Sequence, residues 1–185
     1  MYRNNLNIKP NSLKDLYLCQ RTLNMKKILL TLLLFPLMAS CQNNKKEAIK
    51  SKTYAVEKTD AVWKNELPRM AYQVLRHEAT EPPFSGIYDN FYEEGVYICA
   101  ACNTELYFSK DKYDSKSGWP SFDRGATENI EFDVDYKLGY ARTELKCITC
   151  GGHLGHMFND GPRKTTGKRH CINSAALTFT PATGE

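Results

Sequence analysis

The apolar positions change period once along the chain. Leu67, Met70, Ala71, Val74 and Leu75 recur at i, i+3, i+4, i+7 and i+8, one stripe on a helix face, and read as core packing. Pro68 suits the first turn of that helix, and Pro82-Pro83 bars its continuation. Beyond the prolines the period is two. Residues 96–98 and 105–108 read as strands around a turn, and 130–136 alternates strictly, as a half-buried strand should. Lys137-Leu138-Gly139 reads as a hairpin turn into 140–147, and 172–179 as a final strand. Strands follow strands without helices between them, which favours antiparallel sheets over a βαβ fold.

The N-terminal part follows another logic. Met25-Lys26-Lys27 opens an apolar run of about 11 residues, closed by Ala39-Ser40-Cys41 and a polar stretch. That is the layout of an export signal, and it is too short to cross a bilayer, which takes roughly 20 residues. Leu37-Met38-Ala39-Ser40-Cys41 resembles a bacterial lipoprotein signal, which implies lipidation of Cys41, with a plain secretory signal as the alternative. Residues 25–40 are then the signal peptide and 41–62 a flexible tether to a domain spanning 63–185. Residues 1–24 are expected to be untranslated or disordered, with Met25 as the start. The expected location is the bacterial cell envelope on the exported side, anchored through lipid, with the outer membrane favoured because Gln42 follows the cysteine.

Charge adds an exclusion. The chain of 185 residues carries 25 basic and 21 acidic side chains, but residues 1–40 hold six of the basic and one of the acidic. From position 41 onward 19 basic face 20 acidic residues, so the folded part has no basic excess for nucleic acid.

Cysteine spacing carries the strongest chemical signal. Cys99-x-x-Cys102 and Cys147-x-x-Cys150 each precede a turn-forming residue, Asn103 or Gly151-Gly152. Two such knuckles brought together form a closed tetrahedral Cys₄ site, so a bound zinc would be structural and would join the two halves of the sheet assembly. Two disulfides, which an exported location permits, or a redox pair are the alternatives.

Cys171 is left over, in Arg169-His170-Cys171-Ile172-Asn173-Ser174. Such a cysteine is a buried hydrophobe or a nucleophile. Its neighbours favour the nucleophile: Arg169 and Asn173 stand two residues either side, on the same face of a strand, and a nearby cation favours thiolate. His153-Leu154-Gly155-His156 offers two imidazoles able to carry protons near neutral pH, structural histidines being the alternative. Trp119, between Gly118 and Pro120, can present a flat wall to a ligand or plug the core beneath its loop.

These motifs occur together and in order: Thr80-Glu81-Pro82-Pro83-Phe84-Ser85-Gly86, Cys99-x-x-Cys102, Gly118-Trp119-Pro120-Ser121-Phe122, the run from Cys147 through His153 and His156 to Pro162, and Arg169 through Ser174. In this the chain closely resembles the methionine-R-sulfoxide reductases over about residues 65–181. The resemblance implies a mainly β fold with two antiparallel sheets, short N-terminal helices and a Cys₄ zinc site. It implies reduction of the R epimer of methionine sulfoxide in oxidised proteins by a thioredoxin-like or small-thiol donor. Cys171 would be the nucleophile, and His153 and His156 would position the oxygen and supply its proton. Asn173 and Arg169 would support the thiolate, and Trp119 with Phe122 would contact the substrate.

The chain departs from that family at one place. Many members carry a resolving cysteine just before Gly-Trp-Pro-Ser-Phe, where this chain has Ser117. With Cys41 lipidated, Cys19 untranslated and four cysteines on zinc, no partner remains for an internal disulfide, so a one-cysteine cycle is expected. Two rival readings keep the pattern without the chemistry: a zinc-ribbon interaction module with Cys171 in its core, and a disulfide-stapled exported domain.

Overall fold

The computed structural model describes residues 52–182. The expected signal peptide, Cys41 and the extension before them lie outside the described residues. Two short helices come first, α1 (Asp60–Glu66) and α2 (Arg69–His77). Nine strands follow: β1 (Gly95–Cys99), β2 (Glu105–Phe108), β3 (Lys112–Tyr113), β4 (Ser121–Phe122), β5 (Ile130–Asp135), β6 (Arg142–Cys147), β7 (His153–Phe158), β8 (Arg169–Ile172) and β9 (Leu177–Pro181). They form a three-stranded sheet, β2-β1-β9, and a six-stranded sheet, β3-β4-β8-β7-β6-β5, with every pairing antiparallel. The fold is mainly β, as the sequence pattern predicts.

The two sheets meet through aromatic rings. Phe122 of β4 stacks on Tyr107 of β2 with centroids 4.4 Å apart and meets Tyr97 of β1 edge-on at 5.1 Å. All three are fully buried, in a geometry that aromatic quadrupoles favour. The helices close one end of this core with Trp63, Tyr72, Val74 and Leu75.

Several expectations are corrected. The helical stripe is broken by Pro68, which caps α2, so Leu67 ends α1 instead of opening α2. Met70 of that stripe is exposed. The domain also begins before residue 63. α1 starts at Asp60, the Val56 N–H donates to the Thr149 carbonyl at 2.9 Å, and Lys52 pairs with Glu131 at 2.5 Å, so residues 52–62 lie on the domain instead of serving as tether.

The strand at 130–136 forms, but its apolar side is half open: Ile130 is buried while Phe132 and Val134 are exposed. β5 is the outer strand of a six-stranded sheet whose partner sheet has only three, so among the described residues that end is left uncovered. The expected strand at 172–179 is two strands in different sheets. A tight turn, Ser174–Ala176, divides them. Buried Glu81 makes that break, accepting the N–H groups of Ser174 at 2.5 Å and Ala175 at 3.0 Å. Backbone donors bonded to a carboxylate cannot continue a ladder.

Candidate active site

The metal knuckles are built from one backbone device used twice. Asn103 takes a left-handed φ of 61° and returns its N–H to the Cys99 carbonyl at 2.9 Å. Gly151, with φ of 68°, does the same to Cys147 at 2.8 Å. Each turn folds two sulfurs to one side. Cys99 ends β1 and Cys147 ends β6, so the cluster joins the small sheet to the large one. The Cys99 and Cys150 sulfurs stand 3.7 Å apart, those of Cys102 and Cys147 3.5 Å, and all four lie within 4.8 Å of one another. Those separations are far beyond the roughly 2.05 Å of a disulfide. They are close to the sulfur–sulfur edge of a tetrahedron with metal bonds of about 2.3 Å. The four cysteines can therefore hold one metal ion, and three of them are buried.

Cys171 lies elsewhere, in mid-sheet. Residues paired across neighbouring strands share a face, and the register Tyr113–Ser121–Cys171–His156–Glu144 runs from β3 to β6. Cys171, Arg142, Gly155, His156, Phe158, Asn173, Thr80 and Trp119 line one cavity of about 140 Å³. Toward β4, the Ser117 hydroxyl stands 3.9 Å from the Cys171 sulfur. Phe122 is corrected here. It follows Ser121 on β4, so its ring points to the opposite face, into the inter-sheet core, and Phe158 contributes the second ring of the cavity.

The two imidazoles meet through an irregularity that spacing alone does not reveal. Three residues apart on a regular strand, His153 and His156 would face opposite ways. A bulge intervenes: Leu145 pairs with Gly155 but Lys146 pairs with His153, leaving Leu154 unopposed. The rings then lie 5.2 Å apart on one side. Asn173 secures the bulge, since both its backbone N–H and its side-chain Nδ2 donate to the Leu154 carbonyl at 2.9 Å. Gly155 permits the close approach of β8, for a Cβ there would meet the Cys171 carbonyl oxygen at 2.0 Å. Asn173 Oδ1 also accepts the Glu81 N–H at 3.0 Å, and Trp119 Nε1 donates to the Glu81 carbonyl at 3.1 Å. One buried network thus holds the bulge, the turn after β8 and the aromatic wall.

Carboxylates fix each ring. His153 Nδ1 donates to Glu144 at 2.6 Å, leaving a buried Nε2 without a partner among the described residues. His156 Nε2 donates to Asp135 at 2.8 Å, and Asp135 is also ion-paired with Arg142. Burial pushes the His156 pKa down, and the Asp135 hydrogen bond opposes this without overcoming it. The backbone N–H of Lys137, with His156 and Arg142, holds the Asp135 carboxyl well below the usual range. Glu144 and Asp135 escaped the sequence reading. Asp135 ends β5 and Glu144 stands two residues into β6, positions that carry no distinguishing signal in the sequence; the β5–β6–β7 register places them beside the imidazoles.

The expected thiolate at Cys171 is corrected. Burial raises its pKa, and the Arg169 charge with the Ser117 hydroxyl reduces the rise without reversing it. Arg169 is largely spent elsewhere, forked onto Asp160 with both contacts at 2.8 Å. Burial thus favours the thiol form of Cys171, beside a carboxylate-bound imidazole whose neutral form burial also favours.

A two-sheet β fold carrying a four-cysteine metal knuckle and a lone strand cysteine between histidines has counterparts among known proteins. The SelR domain model matches residues 67–181, and the chain belongs to the SelR family, oxidoreductases that act on a sulfur group. Named relatives are the peptide methionine sulfoxide reductase MsrB of Herminiimonas arsenicoxydans, 49% identical over 69% of this chain and 93% of its own, and that of Leptospira interrogans, 48% identical over 68% and 96%. The MsrB of Burkholderia lata is 47% identical over 69% of this chain and 90% of its own.

Proposed function

We propose that this protein reduces the R epimer of methionine sulfoxide in oxidised proteins to methionine, through a sulfenic acid on Cys171. The observation that carries the reading is the placement of a half-buried thiol and a carboxylate-bound imidazole on one cavity wall, beside Trp119 and Phe158. The Cys171 sulfur attacks the sulfoxide sulfur while His156, neutral because it is buried and donating from Nε2 to Asp135, accepts the thiol proton at Nδ1. That proton passes to the sulfoxide oxygen; His153, which is not among the residues lining the cavity, stands 5.2 Å from the His156 ring. The oxygen then transfers from the methionine sulfur to Cys171: a new S–O bond forms on Cys171 as the methionine S–O bond and the transient S–S bond break, so methionine leaves and Cys171 holds a sulfenic acid. Trp119 and Phe158 offer apolar surface to the substrate methyl group.

Ser117 supplies no second sulfur, so an external thiol closes the cycle, first as a mixed disulfide with Cys171 and then by exchange. The four-cysteine site takes zinc. Four thiolates leave no open position, so the ion is structural. Lipidation of Cys41 would hold the domain at the exported face of a bacterial membrane, where it would repair oxidised envelope proteins.

The test supplies a racemic methionine sulfoxide peptide with excess dithiothreitol and resolves the epimers. The R epimer should disappear, the S epimer should persist, and Cys171→Ser should abolish the reaction. Persistence of both epimers with metal bound would sink the reading and leave a metal-ribbon binding module.

A further inference from the structure

A second depression lies beyond Ser117 from Cys171 and takes no part in the chemistry above. The substrate cavity lies on the β7 side of the cysteine, toward His156. On the other side, toward β3 and β4, Tyr113, Asp114, Ser115, Ser117, Asp160 and Arg169 line a polar depression of about 470 Å³. Ser117 is the wall between this depression and the Cys171 sulfur, 3.9 Å away.

We propose that this depression is the docking site of the reducing thiol, and that its ligand is a small polar thiol of little net charge. The inference rests on the one-cysteine cycle. Displacement at a sulfenic sulfur needs the thiolate opposite the departing oxygen. That oxygen arrives from the substrate cavity, so the side left to the thiol is the one toward Ser117, past the Ser117 side chain. Thiolate attack forms an S–S bond to Cys171 and breaks its S–O bond, and the oxygen leaves as water with the thiol proton. A second thiol then releases the Cys171 thiol and a small disulfide.

The lining suits that ligand. The Tyr113 hydroxyl is buried and has no hydrogen-bond partner among the described residues, a donor waiting for an acceptor. Ser121, Ser115 and Ser117 form a hydroxyl chain with both links at 2.7 Å, ending beside the sulfur. Arg169, half-buried at the rim of Cys171, favours the thiolate form of an incoming thiol. The charges cancel locally, Arg169 against Asp160 and Lys116 against Asp114. Without a single-sign field the site gives no steering to a strongly charged protein donor. Its size falls in the range of small-molecule sites.

The experiment separates the half-reactions on the purified full chain. With substrate and no thiol, the wild type should release one methionine per chain and leave a trappable sulfenic acid. Dithiothreitol should then discharge it with a saturating concentration dependence. Asp114→Trp and Pro162→Trp, both at residues that line the depression, fill it from two walls. Each should keep the methionine burst, which reports a folded substrate side, and lose about tenfold or more in the thiol step. Tyr113→Phe removes only the unpartnered hydroxyl. It should keep the melting temperature and the burst while raising the half-saturating thiol concentration several-fold. A linear dithiothreitol dependence in the wild type overturns the proposal, as does an unchanged thiol step in variants that keep the burst. Absence of sulfenic acid after the burst instead defeats the one-cysteine cycle on which it rests.

Discussion

The two sulfur sites of this domain use one residue type for opposite ends. Cys99, Cys102, Cys147 and Cys150 sit in paired turns where each backbone brings sulfurs together locally, and the two turns then converge within 4.8 Å. Cys171 sits on a regular strand, where the pleat separates it from its sequence neighbours and the sheet supplies histidine on one side and serine on the other. In the first site sulfur is shared and closed to solvent chemistry. In the second it is solitary and opens onto a cavity. Backbone geometry, more than the cysteine itself, decides which role follows.

Removing a knuckle cysteine should break this comparison most severely. A structural zinc contributes roughly 10–16 kcal/mol in small peptides, as much as the whole stability of a typical domain, about 5–15 kcal/mol. Cys147→Ser should therefore lose the metal and the cooperative melting transition together, read by metal analysis and calorimetry. A variant that melts cooperatively without metal would refute the structural role. Cys171→Ser should do the reverse, lowering turnover on the order of 10³-fold or more with stability changed by less than about 1 kcal/mol.

The sheet between the sites gives two smaller effects. His170 faces the core beside Tyr107, and burial lowers its pKa to about 4. The unfolded chain binds the proton more readily, so this group favours folding above pH 6.5 and its contribution falls away as pH drops through 6.5 toward 4. The full loss is roughly 3 kcal/mol. Replacement by Gln should flatten that part of the stability–pH curve, measured by denaturant titration. Gly155→Ala drives a Cβ into the Cys171 carbonyl and should cost about 1–3 kcal/mol while displacing the nucleophile. Wild-type turnover in that variant would show that the close approach of β7 to β8 is not needed.

The contrast also explains what the sequence could reveal. Cys-x-x-Cys spacing is local, so the metal site was legible in the chain, as were the strand periods. Interactions that depend on register were not. A three-residue spacing conceals the bulge that turns His153 and His156 to one face, and alternation cannot say which side of 130–136 is covered. Phe122 was assigned to the substrate because its motif adjoins Trp119, yet the period of two sends adjacent residues to opposite faces. Glu81 broke the last strand from 93 residues away, beyond any local pattern. The thiolate expected at Cys171 ignored desolvation, which outweighs the single Arg169 charge.

The finest test concerns the pair that tunes His156. Asp135 accepts the His156 hydrogen bond and raises its pKa, while Arg142, bound to the same carboxylate, lowers it, both acting against a background of burial that lowers it more. If neutral His156 must take the thiol proton, the acid limb of kcat/KM reports that imidazole. Asp135→Asn removes the raising partner, so the limb should move to lower pH. Arg142→Met removes a lowering charge and frees Asp135 for the ring, so the limb should move to higher pH. The plateau should fall about tenfold in Asp135→Asn, the usual cost of losing an orienting carboxylate. General damage to the cavity would weaken both variants without opposite displacements. Limbs that move together, or stay fixed, would remove His156 from the proton path and leave His153, held by Glu144, as the group to examine.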